Sequence, residues 1–389
     1  MKKEMFDTEI TLLRDTFRRL LRRHANSNII KLIGKTHPAD MALIYRYFND
    51  EEQDTIFAMM PPSEESVEFL SELDESITVR LLDQVTPQRM ATILEEASSN
   101  EIAHLMGLVN EDYATAVIDL LQAEEQEKLE EIMAYPEDSA GILMYTDVFT
   151  LHEETKAIDA IAALQDQEEA EMVFYLYAVD DDGRLTGVVS LRNLVTTSSD
   201  TTLENIMSRR VHSVRPETDQ EEVARIVSQY NFLAVPVVDA EDQLLGIITV
   251  DDVVDIVREE ATEDFLQMVG AGKDREILLK SSWDNARMRF PWLFASWVGG
   301  ILAAFIIGAF DNILQSTIVL AAFIPVIIGM GGNIGTQSST IIVRGLATGR
   351  VGLENSVKIL LKEMRVGLIL GILYGILLGV FAIFRFLDV

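Results

Sequence analysis

Between residues 36 and 135, apolar side chains recur at helical spacing, as in Met90, Ile93 and Leu94 or in Ala114, Val117, Ile118 and Leu121. Such spacing places them on one face of an amphipathic helix. Helix-start signals open these stretches at Pro38-Ala39-Asp40, Pro62-Ser63-Glu64, Pro87-Gln88-Arg89 and Asn110-Glu111-Asp112, separated by 24, 25 and 23 residues. A fixed period predicts stacked helix pairs in a small solenoid. Its acids read as solvated faces, with ion holding on a concave side as the alternative.

Further on the pattern becomes a duplicated unit of short apolar runs. Val179-Asp180 through Gly187, Ser190 and Asn193 returns 59 residues later as Val238-Asp239 through Gly246, Thr249 and Asp252. Upstream, Val148 to Thr150 with Glu154-Thr155 returns 63 residues on as Val211 to Ser213 with Glu217-Thr218. Both copies read strand, helix, strand, turn, strand, helix.

Three apolar runs close the chain. Residues 290–310 are 21 uncharged positions, or about 31 Å of helix at about 1.5 Å per residue, enough for a hydrocarbon core of about 30 Å. Residues 312–343 hold a second predicted span and 366–384 a third. Lys280, Arg287 and Arg289 precede the first, only Asp311 and Asn312 follow it, and Arg344, Arg350, Lys358, Lys362 and Arg365 lie between the second and third. That asymmetry places the N-terminal region in the cytoplasm and the chain's end on the far side. Gly367, Gly371, Gly375 and Gly379 form a small-residue ridge suited to close helix packing. The middle run is interrupted at 325–339, PVIIGMGGNIGTQSS. Amides and irregular backbone at membrane depth belong against protein or a wet cavity, so this segment is expected to wall a pathway.

Charge divides the chain the same way. Of a net −31, residues 281–389 carry 8 Lys+Arg and 5 Asp+Glu, leaving 24 against 58 in residues 1–280. The front is thus an acidic soluble region that repels nucleic acid and attracts divalent cations. No cysteine is present, which removes disulfides and thiolate metal sites. The N-terminus, MKKEMFDTEITLLRDTFRRLLRRH, is amphipathic and unlike a signal peptide. His24, His37, His104, His152 and His212 are scattered singly, with no nucleophile elbow or phosphate loop, so no enzyme is expected.

Residues 251–264 hold seven carboxylates against Arg258, and Asp252, Asp255, Glu259 and Glu263 share one helical face. Like charges so spaced cost a few tenths of a kcal/mol per pair. The stretch reads either as a solvated face or as a binder of Mg²⁺ or Ca²⁺ through hard oxygen ligands. Its position just ahead of the first span favours ion sensing.

The strand order and the Gly-h-h-[Ser/Thr]-x-x-[Asp/Asn] turn resemble tandem CBS domains, which often bind adenosine nucleotides through the Thr and Asp of that turn. Thr249 and Asp252 match it, while Ser190 and Asn193 depart from it; packing without nucleotide is the alternative. Together with 261–264 (ATED), Gly331-Gly332-Asn333 and 344–348 (RGLAT), the chain resembles the MgtE family of magnesium transporters. The resemblance implies a multidomain chain: an all-α superhelical N-domain at 1–135, α/β CBS domains at 136–200 and 201–256, a plug helix at 257–283, and an all-α transmembrane region at 284–389. It implies a homodimer in the cell membrane, N-terminal domains cytoplasmic, importing Mg²⁺ and closing when internal Mg²⁺ bridges its acids. The implied ligands are Asp219, Glu221, Asp252, Asp255, Glu260, Glu263 and Asp264, with Asn231 replacing a family acid. Asn333, beside Gly331 and Gly332, is the implied pore-lining group, and ATP or another adenosine nucleotide the implied CBS ligand. The family has five membrane helices and an anchoring aspartate on the last. This chain ends at Val389 after three, and is expected to be a fragment of a longer product. A nonconducting Mg²⁺/nucleotide sensor and a transporter for a different ion are the competing readings. Preference among Mg²⁺, Mn²⁺ and Co²⁺ is not encoded in any readable motif.

Overall fold

The computed structural model describes residues 2–136, 138–166, 175–268, 281–316, 318–347 and 356–386. Lys280 and Arg350, used above to orient the chain, lie outside the described residues, as does most of the link from plug to first span. The chain forms two compact units, Met1–Ile256 and Val257–Val389.

In the first unit, each start signal begins a short helix: α3 (Pro38–Tyr45), α5 (Glu64–Ser71), α7 (Pro87–Leu94) and α9 (Glu111–Ile118), preceded by α1 (Lys2–Arg22) and α2 (Asn26–Ile33). Each is followed by a second helix, α4 (Asp50–Ala58), α6 (Glu75–Leu82), α8 (Ser99–Gly107) and α10 (Ala123–Met133). Side-chain caps set the boundaries. Thr86 Oγ1 accepts from Arg89 N at 3.4 Å and Asn110 Oδ1 from Tyr113 N at 2.9 Å, while Asn49 and Glu52 form a reciprocal capping box. Helices of eight or nine residues are unstable alone. They hold by stacking α3, α5, α7 and α9 in series over a core that includes Ile44, Ile56, Val67, Met90, Ile102 and Val117, all sealed from solvent.

The duplicated region folds as the spacing predicts, with one economy. The first copy comprises β1 (Thr150–His152), α12 (Ala157–Asp166), β2 (Tyr175–Val179), β3 (Leu185–Ser190) and α13 (Leu191–Thr196). β1 pairs parallel to β2 and β2 antiparallel to β3. The second comprises α14 (Gln220–Tyr230), β4 (Ala234–Val238), β5 (Leu244–Thr249) and α15 (Val250–Met268). Its expected first strand shrinks to one parallel bridge, Val214 to Val237. The repeat is otherwise detailed: the antiparallel register shifts between Ala178 and Val179 and again between Val237 and Val238. Asp180 and Asp239 cap equivalent turns through backbone N–H groups two and four residues on, and Gly183 and Asp242 take equivalent left-handed conformations at φ +78° and +64°. These turns meet, Leu185 N donating to Asp242 O at 3.0 Å and Leu244 N to Gly183 O at 3.4 Å.

The second unit holds the later part of α15, then α16 (Ser282–Gly308), α17 (Asp311–Ser316), a 3₁₀ turn (Ile318–Phe323), α18 (Ile324–Ala347) and α19 (Ser356–Phe386). Two of the three predicted spans, Ser282–Gly308 and Val357–Phe384, are helices long and apolar enough to cross a membrane. The middle one is helical but is not among them, because its amides and hydroxyls dilute its hydropathy. Contrary to expectation, 325–339 is not irregular: it lies wholly within α18, and the break in the run is the 3₁₀ turn before it. Glycine costs about 1 kcal/mol in a water-exposed helix, yet the helix continues because in apolar surroundings every backbone group must be paired internally. α19 runs antiparallel against α18, with Phe323 edge-on to Phe381 at 6.4 Å and Ser338 Oγ donating to Glu363 Oε2 at 2.8 Å. The glycine ridge is partly used there. A Cβ on Gly367 would lie 4.0 Å from Ile334, whereas Gly371, Gly375 and Gly379 face open space.

Candidate functional site

The predicted metal ligands fall on two helices. Asp219 precedes α14 and caps it, Oδ1 accepting from Glu221 N at 2.9 Å. Asp252, Asp255, Glu260, Glu263 and Asp264 follow one another along α15, whose Val253 and Ile256 are buried in the second CBS core. Glu263 accepts from Gln267 Nε2 at 2.6 Å. Burial, with the neighbouring Glu263, holds the Asp264 carboxyl above its ordinary range, and the Arg344 charge pulls it back. Among the described residues, no three His, Asp or Glu side chains converge as a metal cluster. Asn333, Gly331 and Gly332 are exposed on α18.

Thr249 and Asp252, expected to face a nucleotide, face each other instead. Thr249 Oγ1 donates to Asp252 Oδ2 at 2.6 Å and its backbone N at 3.2 Å, while Tyr145 Oη donates to Oδ1 at 3.3 Å. Burial raises the Asp252 carboxyl, against the lowering effect of those bonds. Tyr145 is delivered by the segment after α11 (Ala140–Leu143), pinned to β5 by Tyr145 N to Ile247 O at 2.8 Å and Ile247 N to Tyr145 O at 3.0 Å. This side of the CBS pair is therefore internally satisfied.

The opposite side is open. A cavity of about 190 Å³ lies there between the two copies. Tyr175, Tyr177, His212 and Phe232 supply its rings, and His212 stacks on Tyr230 at 4.2 Å. Ser190, Asn193, Ser208 and Arg210 supply its polar groups. Ser190 Oγ accepts from Asn193 N at 3.2 Å, which leaves its own proton to donate. Tyr177 is 2% exposed, and its hydroxyl has no hydrogen-bond partner among the described residues. Sequence reasoning found Ser190 and Asn193 but not Tyr177, Arg210 or Phe232, because no motif marks them. They lie on different strands and loops that only the packing of the copies brings together.

An acidic helical domain, a duplicated α/β pair and apolar helices in one chain form the architecture that family models assign to divalent-cation transporters. Family comparisons agree along the chain: residues 36–138 match the MgtE intracellular N domain, 140–200 and 203–259 match CBS domains, and 324–388 match MgtE, the divalent cation transporter family. The magnesium transporter MgtE of Thermus thermophilus is 34% identical over 354 residues, covering 90% of this chain and 78% of that one. The MgtE of Bacillus subtilis is 29% identical over 365 residues, covering 94% and 80%. The solved cytosolic domain of the Mg²⁺ channel MgtE in complex with ATP matches with TM-score 0.59 and 32% identity, over 62% of this chain and 99% of that one. The soluble part of a magnesium transporter matches with TM-score 0.58 and 28% identity, over 65% and 99%. The chain belongs to the MgtE family of magnesium transporters, which are membrane transport proteins and not enzymes.

Proposed function

We propose that this chain imports Mg²⁺ as a homodimer and that its own cytosolic acids close the path when internal Mg²⁺ rises. The observation that carries the reading is α15. One unbroken helix is anchored in the CBS core by Val253 and Ile256 and continues through Glu260, Glu263 and Asp264. Seven carboxylates on such a helix, Asp255 among them, repel one another, and divalent cations bridging them to each other and to acids such as Asp219 and Glu221 offset that repulsion. A change in Mg²⁺ thereby biases an element that lies just ahead of the first span in the sequence. Selective passage itself falls to α18, where the Asn333 amide is suited to hold the water shell that Mg²⁺ gives up reluctantly.

The same reading gives the CBS cavity a nucleotide. Its rings suit a base, and its hydroxyls and amide suit a ribose. The related cytosolic domain solved with ATP supports this assignment.

The test is Mg²⁺ flux in liposomes beside proteolysis of α15. We expect flux that falls as millimolar Mg²⁺ is placed on the cytosolic side, and protection of 257–268 from cleavage under the same conditions. Replacing Glu260, Glu263 and Asp264 with Ala abolishes both effects. Absent flux with intact protection makes the chain a sensor and not a transporter; unchanged protection in the triple variant refutes the gating assignment.

A further inference from the structure

Residues 16–39 carry six cations, Arg18, Arg19, Arg22, Arg23, Lys31 and Lys35, and no acid, in a chain of net charge −31. They run from the C-terminal end of α1 through the following turn and past α2, which packs against α1. Arg18 turns inward to the Tyr47 carbonyl and to Glu52. The other five are exposed, and among the described residues none of them makes an ion pair; Arg19 reaches only Thr16 Oγ1, at 3.3 Å. Elsewhere on this acid-rich chain cations are taken up, as Arg46 is by Asp74, Lys128 by Asp147 and Arg209 by Glu204, each at 2.9 Å. A helix end favours one or two cations through its dipole; it does not account for five from which every acid is excluded.

Apolar side chains stand among these charges. Leu12, two turns before Arg19 on the same face of α1, is 65% exposed, and Ile30, next to Lys31 on α2, is 47% exposed. Asp15, near that face, is held by Arg14 Nη2 at 2.9 Å, and Phe17 points the other way into the core. Anionic lipid satisfies both the unpaired cations and the exposed leucine and isoleucine, whereas a soluble polyanion satisfies the charges alone. The adjoining residues 36–138 match an intracellular domain, on the side where the leaflet carries a negative surface potential, and the chain's own apolar helices hold that domain in reach of a bilayer.

We propose that the face built by α1 and α2 docks on the anionic phospholipid headgroups of the cytoplasmic leaflet. Arg19, Arg22, Arg23, Lys31 and Lys35 meet phosphate oxygens, and Leu12 and Ile30 enter the boundary between headgroups and acyl chains. Docking gives the N-terminal domain an attachment to the membrane besides the spans, one that strengthens with the negative charge of the leaflet and weakens with salt.

The test uses the full chain in nanodiscs of phosphatidylcholine alone or with phosphatidylglycerol added, in EDTA. A fluorophore on Ser27→Cys, a single label because the chain has no cysteine and placed one turn before Ile30 and Lys31, is read by quenching from a lipid with a nitroxide headgroup. Quenching is expected in the anionic discs and not in the neutral ones, and is expected to vanish in about 1 M salt, where the screening length is about 3 Å. Replacing Arg22, Arg23 and Lys31 together with Gln should lower the docked-to-undocked ratio about a hundredfold, at about fivefold per cation; Arg192→Gln, an exposed cation on α13, changes nothing. The lipid and salt arms leave the patch intact, so a misfolded variant cannot decide the outcome. Quenching equal in neutral and anionic discs, or absent from both, overturns the proposal, and a salt-sensitive label environment that ignores lipid charge assigns the face to the acids of a second copy instead.

Discussion

Replacing Asp252 by Asn and by Ala separates its charge from its hydrogen bonds. The carboxylate accepts from the Thr249 backbone N–H and hydroxyl at the start of α15 and from Tyr145. Asn keeps the cap with its oxygen and donates to Tyr145 Oη with its amide nitrogen; Ala loses both. A cap of this kind contributes about 0.5–2 kcal/mol, and a stranded buried hydroxyl costs about 1–3 kcal/mol. The second cost is largely avoided, because Asn100 approaches the same tyrosine and has a buried Oδ1 without a partner. The two neutral variants should thus differ by about 1–2 kcal/mol, a factor of roughly 5–30. Hydrogen exchange of peptides covering residues 244–256, in EDTA and corrected for intrinsic rates, reads that factor as faster exchange in Asp252→Ala. The charge has its own signature. Burial raises the folded carboxyl above its unfolded value, so between the two values the folded chain binds the extra proton and stability falls as pH rises. Asp252→Asn should then be better protected than the natural chain at pH 7, with the advantage gone below about pH 4, where the unfolded carboxyl is also protonated. Equal exchange in the two variants, or an advantage for Asn that persists at low pH, refutes the network as described.

Two further substitutions follow from the duplicated fold. A methyl at Gly246 would meet the Tyr145 carbonyl at 2.6 Å, a group fixed by two backbone hydrogen bonds, whereas at Gly187 it would meet the Met207 side chain at 2.5 Å. Because methionine repacks readily, Gly246→Ala should cost about 1–3 kcal/mol and Gly187→Ala clearly less, read as the relative loss of exchange protection in β5 and β3; equal losses would contradict this. Asn231 ends α14 in a left-handed conformation at φ +55°. An acid there opposes the helix dipole by about 0.3–1 kcal/mol, so Asn231→Asp should loosen α14 in EDTA yet lower the Mg²⁺ concentration that protects 257–268; an unchanged midpoint would show that position 231 is no ligand.

The sequence carried whatever is written in local chemistry. Pro38, Pro62, Pro87 and Asn110 announce helix starts through ring constraints or a capping side chain that act within four residues, and the structure begins a helix at or beside each. The 59-residue repeat was legible down to the turn at Gly187 and Gly246, because both copies solve the same close approach. Nonlocal choices were not. Ser190 and Asn193 looked like the poorer match to a nucleotide turn, yet their side is open, while Thr249 and Asp252 are engaged by a tyrosine 107 residues away from Asp252. Nothing in the turn motif shows which copy the segment after α10 will cover. The reading of α18 failed for a different reason: glycine and asparagine are breakers judged against water, which offers freed backbone groups new partners. In an apolar medium that competition disappears, and the helix survives with its amides displayed along it. Asn333 is therefore presented from a regular surface, one turn from Gln337, and what the sequence marked as a break in the chain is a stripe of polar groups on an intact helix.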